Sequence, residues 1–153
     1  MSTCRTCGVA VVEVSHRTTW PVDGRTFVAD LPATKCGACR EVLISGPAMI
    51  AFAEAISLAL ARSGEIGPEG FRWLRKAVHL KANELATLFD VTPMQVSRWE
   101  TGKKPLERRA IAWVCALVLE KLEGKPAGRE VLDLLAAKKR PPRRVRLAVK
   151  AAG

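Results

Sequence analysis

The sequence predicts an α+β protein, in which a small metal-stapled β unit is followed by an all-α domain. Four of the five cysteines fall within residues 1–45, where β-branched side chains are frequent. From residue 46 onward, apolar residues recur at helical spacing between Pro and Gly residues that can begin or end helices. A chain of 153 residues can hold two small units, and we expect two units in tandem.

The N-terminal unit, residues 1–45, has the pattern of a β-hairpin. Val9 to Trp20 is the first predicted strand, Pro21 to Gly24 is a turn signal, and Arg25 to Asp30 is the predicted return strand. Because so short a segment cannot bury a core that is stable alone, a bound metal ion is physically required to hold it together; we call this metal the staple.

Two Cys-x-x-Cys pairs supply ligands for this staple, namely Cys4, Cys7, Cys36 and Cys39. The spacing lets both thiolates of a pair converge from one tight turn, where Gly8 and Gly37 relax the backbone. Four thiolates suit zinc or iron, and we predict one structural Zn²⁺ per chain, because nothing in the sequence suggests electron transfer. Such a closed site leaves no position for a reactive water. The alternative is a redox-active dithiol, although the βαβ pattern of thioredoxin-like proteins is not visible.

Residues 46–66 are predicted to be a connecting helix and linker. Ser45 can cap the helix, Pro47 suits its first turn, and the helix is expected over Ala48 to Arg62. Apolar residues surround much of this helix, so we expect it to be covered by its own chain or by a partner protein.

Residues 67–137 are predicted to form a series of short helices. The first starts at Pro68, the second spans Ala82 to Phe89 with Leu85 and Leu88 inward, and the third follows the N-cap Thr92 and stops before Gly102. Two more helices are expected, over Leu106 to Glu123 and over Arg129 to Ala137.

Short motifs between residues 71 and 105 point to a known family. They are Glu84-Leu85-Ala86, Val91-Thr92, Val96-Ser97-Arg98-Trp99-Glu100-x-Gly102 and Pro105. Together they resemble the helix-turn-helix of the phage-repressor-like (XRE/Cro-type) family, which implies that the third helix enters the major groove of DNA. Helical periodicity agrees, since it places Val96 and Trp99 inward.

The predicted DNA-contacting residues are Thr92, Met94, Gln95, Ser97, Arg98, Lys103 and Lys104. Arg98 can pair bidentately with guanine, Gln95 with adenine, and Met94 can lie against a thymine methyl group. Ser97 and the helix N-terminus suit phosphate, as do the two lysines. The alternative is that these side chains are ordinary solvated surface. The chain departs from the family at Lys81-Ala82, where the usual Gln is missing, and at Asp90, where Gly is common.

The order of the parts, over residues 1 to 123, is similar to that of the MqsA-type antitoxins, which carry a YgiT-type zinc finger. That resemblance implies a structural zinc, an N-terminal unit that binds a RelE-like ribonuclease toxin, and a homodimer that represses its own operon. The family's base-reading Asn falls at Met94 and its base-reading Arg at Arg98. The alternative is a stand-alone zinc-containing helix-turn-helix regulator with no toxin partner.

The charge balance also favours a polyanionic partner. Lys and Arg number 25 against 15 Asp and Glu, giving a formal net charge of +10. Much of this excess lies in a basic tail, residues 138–153, which we expect either to add non-specific DNA affinity or to be only a solvated end. No signal peptide, membrane span, catalytic triad or phosphate loop is visible. We therefore predict a cytoplasmic, non-enzymatic repressor, associated with the nucleoid when it binds a palindromic operator.

Overall fold

A long β-hairpin forms the N-terminal part of the computed structural model, which describes residues 2–125 and 140–149. Strand β1 spans Val11–Val22 and pairs antiparallel with β2, Arg25–Cys36, along its whole length. The turn is only Asp23 and Gly24, both with positive φ (57° and 71°), as a tight two-residue hairpin turn requires. The predicted four-residue turn is therefore wrong, because Pro21 and its neighbour continue the strand, and the return strand extends beyond Asp30.

Two short strands pair with the edge of β2 that β1 leaves free. Strand β3, Val42–Ile44, runs antiparallel to Ala33–Lys35 near the cysteine end. Strand β4, Arg144–Arg146, runs parallel to Thr26–Val28 near the turn end. Part of the basic tail is thus a strand of the sheet.

Within the described residues, five helices follow the hairpin, and together with the sheet they confirm the α+β class. They are α1 (Gly46–Ser63), α2 (Pro68–Ala77), α3 (Ala82–Phe89), α4 (Pro93–Glu100) and α5 (Arg108–Glu123). The predicted caps are confirmed, since Ser45 Oγ accepts the Ala48 N–H at 3.2 Å and Thr92 Oγ1 accepts the Gln95 N–H at 3.2 Å. The helix predicted over residues 129–137 lies outside the described residues.

One hydrophobic core joins the sheet to the helices. Its largest buried members come from the two long strands and the five helices: Val22, Phe27, Leu31, Phe52, Ile56, Leu60, Phe71, Leu74, Leu85, Val96, Trp99 and Leu119. Helix α1 packs between β2 and α5, so its own chain covers much of it. The inward orientation expected for Leu88 is wrong: this side chain is 67% exposed, because Leu85 and Ala86 occupy the buried face of α3. Among the described residues, no helix is both long and apolar enough to cross a membrane.

The hairpin turn is fixed to the N-terminus of α2. The Asp23 carboxylate accepts the Gly67 N–H at 2.7 Å, and the Asp23 N–H donates to Glu69 Oε2 at 2.8 Å. A Cβ atom at Gly67 or Gly70 would lie 2.6 or 2.7 Å from the Asp23 carboxylate, so this approach requires glycine at both positions. We call this contact the turn clasp.

A buried arginine supports the turn clasp from the other side. Arg25, the first residue of β2, is 9% exposed and donates to Ser63 Oγ at 3.1 Å and to the Glu65 carbonyl. Burial lowers the pKa of this guanidinium, and the nearby Asp23 and Glu65 carboxylates offset part of that effect. The clasp therefore ties the sheet, the α1–α2 loop and α2 together.

Candidate metal centre and DNA-binding surface

The four predicted cysteine ligands converge at the open end of the hairpin. Their sulfur atoms all lie within 4.8 Å of one another, with Cys7–Cys36 at 3.4 Å, Cys4–Cys39 at 3.6 Å and Cys7–Cys39 at 3.7 Å. A zinc ion about 2.3 Å from four tetrahedral sulfurs would hold them about 3.8 Å apart. The cluster therefore has the size needed to hold one metal ion, which the sequence predicted.

Each cysteine pair lies on a turn of the same design. In the first, the Gly8 N–H donates to the Cys4 carbonyl at 2.9 Å and the Cys4 N–H to the Val9 carbonyl at 2.8 Å. In the second, the Arg40 N–H donates to the Cys36 carbonyl at 3.1 Å and the Cys36 N–H to the Glu41 carbonyl at 2.9 Å. The residue with positive φ is Gly8 in one turn and Arg40 in the other. The expectation that Gly37 relaxes the second turn is therefore wrong.

The electrostatics of the cluster favour a bound cation. The N–H groups of Cys39 and Ala38 point at the Cys36 sulfur and lower the pKa of that thiol to about 6. At Cys39 the Glu41 N–H favours the thiolate, but the thiols of Cys36 and Cys4 outweigh it and raise the pKa to about 12. Four thiolates this close repel one another, so all of them ionise together only when a metal cation compensates their charge.

A carboxylate lies beside the cluster. Glu41 Oε2 accepts hydrogen bonds from Thr6 Oγ1 and, at 3.4 Å, from Cys4 Sγ. Both hydrogen bonds lower the pKa of Glu41, and the bond from Thr6 has the larger effect. Spacing alone did not single out Glu41, although its place two residues after Cys39 was a usable signal.

Helices α3 and α4 and the turn between them build the second candidate site. Asp90 ends α3 in the left-handed conformation (φ 54°), so it replaces the usual glycine in this turn. Thr92 caps α4 and Pro93 occupies its first turn. Val96 and Trp99 are buried, as predicted, which directs the opposite face of α4 away from the core.

The predicted DNA-contacting residues lie together on this face and on the loop after it. Met94, Ser97 and Arg98 are exposed on α4, and Gln95 is half-buried. Thr92, Lys103 and Lys104 are exposed at the two ends of the helix. Lys81, at which this chain departs from the family pattern, is the exposed N-cap residue of α3. Its backbone N–H donates to Glu84 Oε2 at 2.6 Å.

A buried ion pair holds α4 against α2. Both nitrogens at one edge of the Arg75 guanidinium donate to the Glu100 carboxylate, one at 3.1 Å, and the third donates to the Leu80 carbonyl at 2.7 Å. The two side chains are 9% and 8% exposed. Sequence reasoning missed this pair, because the partners lie on different helices.

A family model described as helix-turn-helix matches residues 71–117. These residues form a helix-turn-helix domain. The matched range begins within α2 and ends within α5, so it includes α3, α4 and the exposed face described above. The XRE-type resemblance is confirmed for this domain, which is of a kind found in DNA-binding regulators. No curated protein and no solved structure matches the chain.

Proposed function

We propose that the chain is a sequence-specific transcriptional repressor that inserts α4 of its helix-turn-helix domain into the major groove. The observation that carries this proposal is the placement of Arg98 and Ser97 on the exposed face of α4, within the range that the family model matches. An arginine at this position can donate two parallel hydrogen bonds to one guanine. Lys103 and Lys104, just past the helix, would contact the phosphate backbone on the same side.

The test measures binding to the DNA upstream of the chain's own gene and to a random-sequence duplex. Arg98→Ala should weaken binding to the upstream DNA by about 5- to 150-fold, equivalent to about 1–3 kcal/mol, with a much smaller loss on the random duplex. Arg98→Lys is the matched control for charge: it should keep binding to random DNA but still lose specificity, because lysine lacks the planar fork. An unchanged ratio between the two DNAs in both variants would reject α4 as the reading helix.

We further propose that the metal is zinc and that its role is structural. Four thiolates can by themselves form a closed tetrahedral set, which provides no open position for a substrate or a reactive water. The purified chain should therefore contain about one zinc per chain, measured by elemental analysis. Stoichiometric iron with the colour of an iron–thiolate site would contradict the assignment.

The more specific role we propose is that of an antitoxin, whose N-terminal unit binds a RelE-like ribonuclease toxin. Its support is the resemblance in the order of parts, together with exposed apolar side chains near the cysteine end, namely Val9, Val12 and Leu43. The alternative is a stand-alone regulator. Co-expression with the product of the adjacent gene separates the two: an antitoxin co-purifies with a compact ribonuclease and suppresses its activity, whereas a stand-alone regulator does neither.

A further inference from the structure

The docked C-terminal strand changes the surface of the sheet. The Thr26 N–H donates to the Arg143 carbonyl and the Leu147 N–H to the Val28 carbonyl, both at 2.9 Å, so β4 is hydrogen-bonded at both ends. Val145, Leu147 and Val149 pack against the core. Because side chains alternate along a strand, Arg144 and Arg146 must lie on the opposite face.

Cross-strand register places three rows of residues at the turn end of this outer face. Arg17 lies opposite Asp30, Val28 lies between Thr19 and Arg146, and Thr26 lies between Pro21 and Arg144. We call these residues the outer basic face. Its three arginines outnumber its single acid, Asp30, which contacts Arg17 at 3.1 Å and Arg146 at 3.5 Å. Arg144 is exposed and forms no ion pair with any residue in the described ranges.

We propose that the outer basic face is a second contact site for the phosphate backbone of duplex DNA, completed only when the C-terminal segment docks as β4. This rests on the proposed DNA-binding function but adds a site outside the helix-turn-helix domain. Guanidinium groups donate two parallel hydrogen bonds to phosphate oxygens, and the Thr19 and Thr26 hydroxyls beside them are suited to the same ligand.

The chemistry of this face favours duplex DNA over two other polyanions. Single-stranded nucleic acid is bound by stacking on exposed aromatic rings, but Trp20 and Phe27 point to the opposite, core-facing side of the sheet. Insertion into an anionic membrane needs large exposed apolar side chains. Among the described residues, no large exposed apolar side chain belongs to the outer basic face.

The outer basic face is also connected to the DNA-binding surface. The turn beside it is clasped to the N-terminus of α2. Pro68 of α2 lies 3.6 Å from the position of a Cβ at Gly102, the residue before Lys103 and Lys104. The turn end of the sheet, which carries Arg144, therefore lies near the loop that carries the two lysines.

The test is the salt dependence of binding to a random-sequence duplex by the full chain. Arg144→Ala should reduce the slope of log affinity against log salt by about 0.9, and Arg144→Ala with Arg146→Ala by about 1.8. Lys35→Ala removes one exposed charge from β2 near the cysteine end and is the matched control, with no expected change. Arg144→Lys with Arg146→Lys keeps both charges and should keep the slope, while circular dichroism confirms that each variant is folded.

Several outcomes would overturn this site. One is a salt dependence of duplex binding that is as steep in the double alanine variant as in Lys35→Ala. Another is a loss of binding to a single-stranded oligonucleotide or to phosphatidylglycerol vesicles with an unchanged slope on the duplex. If the unaltered chain binds no duplex, this site and the proposed function both fail. If it binds, and Arg98→Ala changes specificity while the double alanine variant leaves the salt slope unchanged, the outer basic face alone is rejected.

Discussion

The Arg75–Glu100 pair shows how single residues hold helix α4 in position. It is buried, bidentate and supplemented by the bond to the Leu80 carbonyl, so all three nitrogens of the guanidinium donate hydrogen bonds. Glu100 is the last residue of α4, two positions after Arg98. The pair therefore fixes the end of the helix from which Arg98 projects.

Glu100→Gln should destabilise the fold by about 3–5 kcal/mol, because it leaves the buried Arg75 charge uncompensated. Chemical denaturation measures this loss. Replacing both partners with apolar residues, Arg75→Met with Glu100→Leu, should cost much less. Glu107→Gln, which affects the exposed pair with Arg109, is the control and should change stability little. A loss in Glu100→Gln no larger than in this control would show that the pair does not hold α4.

At the scale of elements, the hairpin has two ends with different supports. Its turn end is held by the shared core, through Phe27 and Leu31, and by the turn clasp. Its open end carries the cysteines, where the proposed metal would hold the two cysteine turns together, aided by the hydrogen bonds that Thr6 and Cys4 donate to Glu41. The two ends should therefore respond differently when the metal is removed.

Chelation of the metal, or Cys36→Ser, should release residues 2–10 and 36–44 and leave the helices folded. The physical reason is that the core residues of β2 remain packed on α1 without the metal. Hydrogen exchange should show protection lost at the cysteine turns and retained from Phe27 to Leu31. Loss of protection throughout α1 to α5 would contradict this account and make the metal essential to the whole fold.

The turn clasp makes its own prediction about glycine. Gly70→Ala should destabilise the protein despite the higher helix propensity of alanine, because the new Cβ displaces an Asp23 carboxylate that is bonded to the Gly67 N–H. Gly46→Ala, in the first turn of α1 with open space around it, is the matched control and should be neutral or stabilising. Equal thermal shifts in the two variants would show that the clasp contributes nothing.

For the molecule as a whole, the sequence predicted those features that depend on local spacing. The cysteine pairs, the Thr92 cap and the inward Val96 and Trp99 depend on residues a few positions apart. The Arg75–Glu100 pair and the turn clasp join segments far apart in sequence, so no local pattern shows them. Strand β4 was missed because residues 138–153 were assigned to a tail from their charge, although the alternation of residues 144–149 was an available signal.

We expect the chain to form a dimer, because the proposed repressor would read two half-sites with two copies of α4. Trp113 on α5 is 60% exposed and packs edge-on against Phe89, with ring centroids 6.4 Å apart. We predict that Trp113→Glu shifts the chain from dimer to monomer in sedimentation at micromolar concentration. Ile50→Glu, at a residue 62% exposed on α1, is the control and should remain dimeric. A monomeric unaltered chain would count against this arrangement.

Selection of binding sites from a random duplex library tests the central claim most directly, because such a library offers the chain every candidate operator sequence at once. The account predicts enrichment of an inverted repeat with half-sites about one turn of DNA, roughly 34 Å, apart. Each half-site should contain a guanine that the unaltered chain selects and Arg98→Ala does not. No enriched sequence, or the same preference at every position in the Arg98 variant, would contradict the reading of DNA by α4.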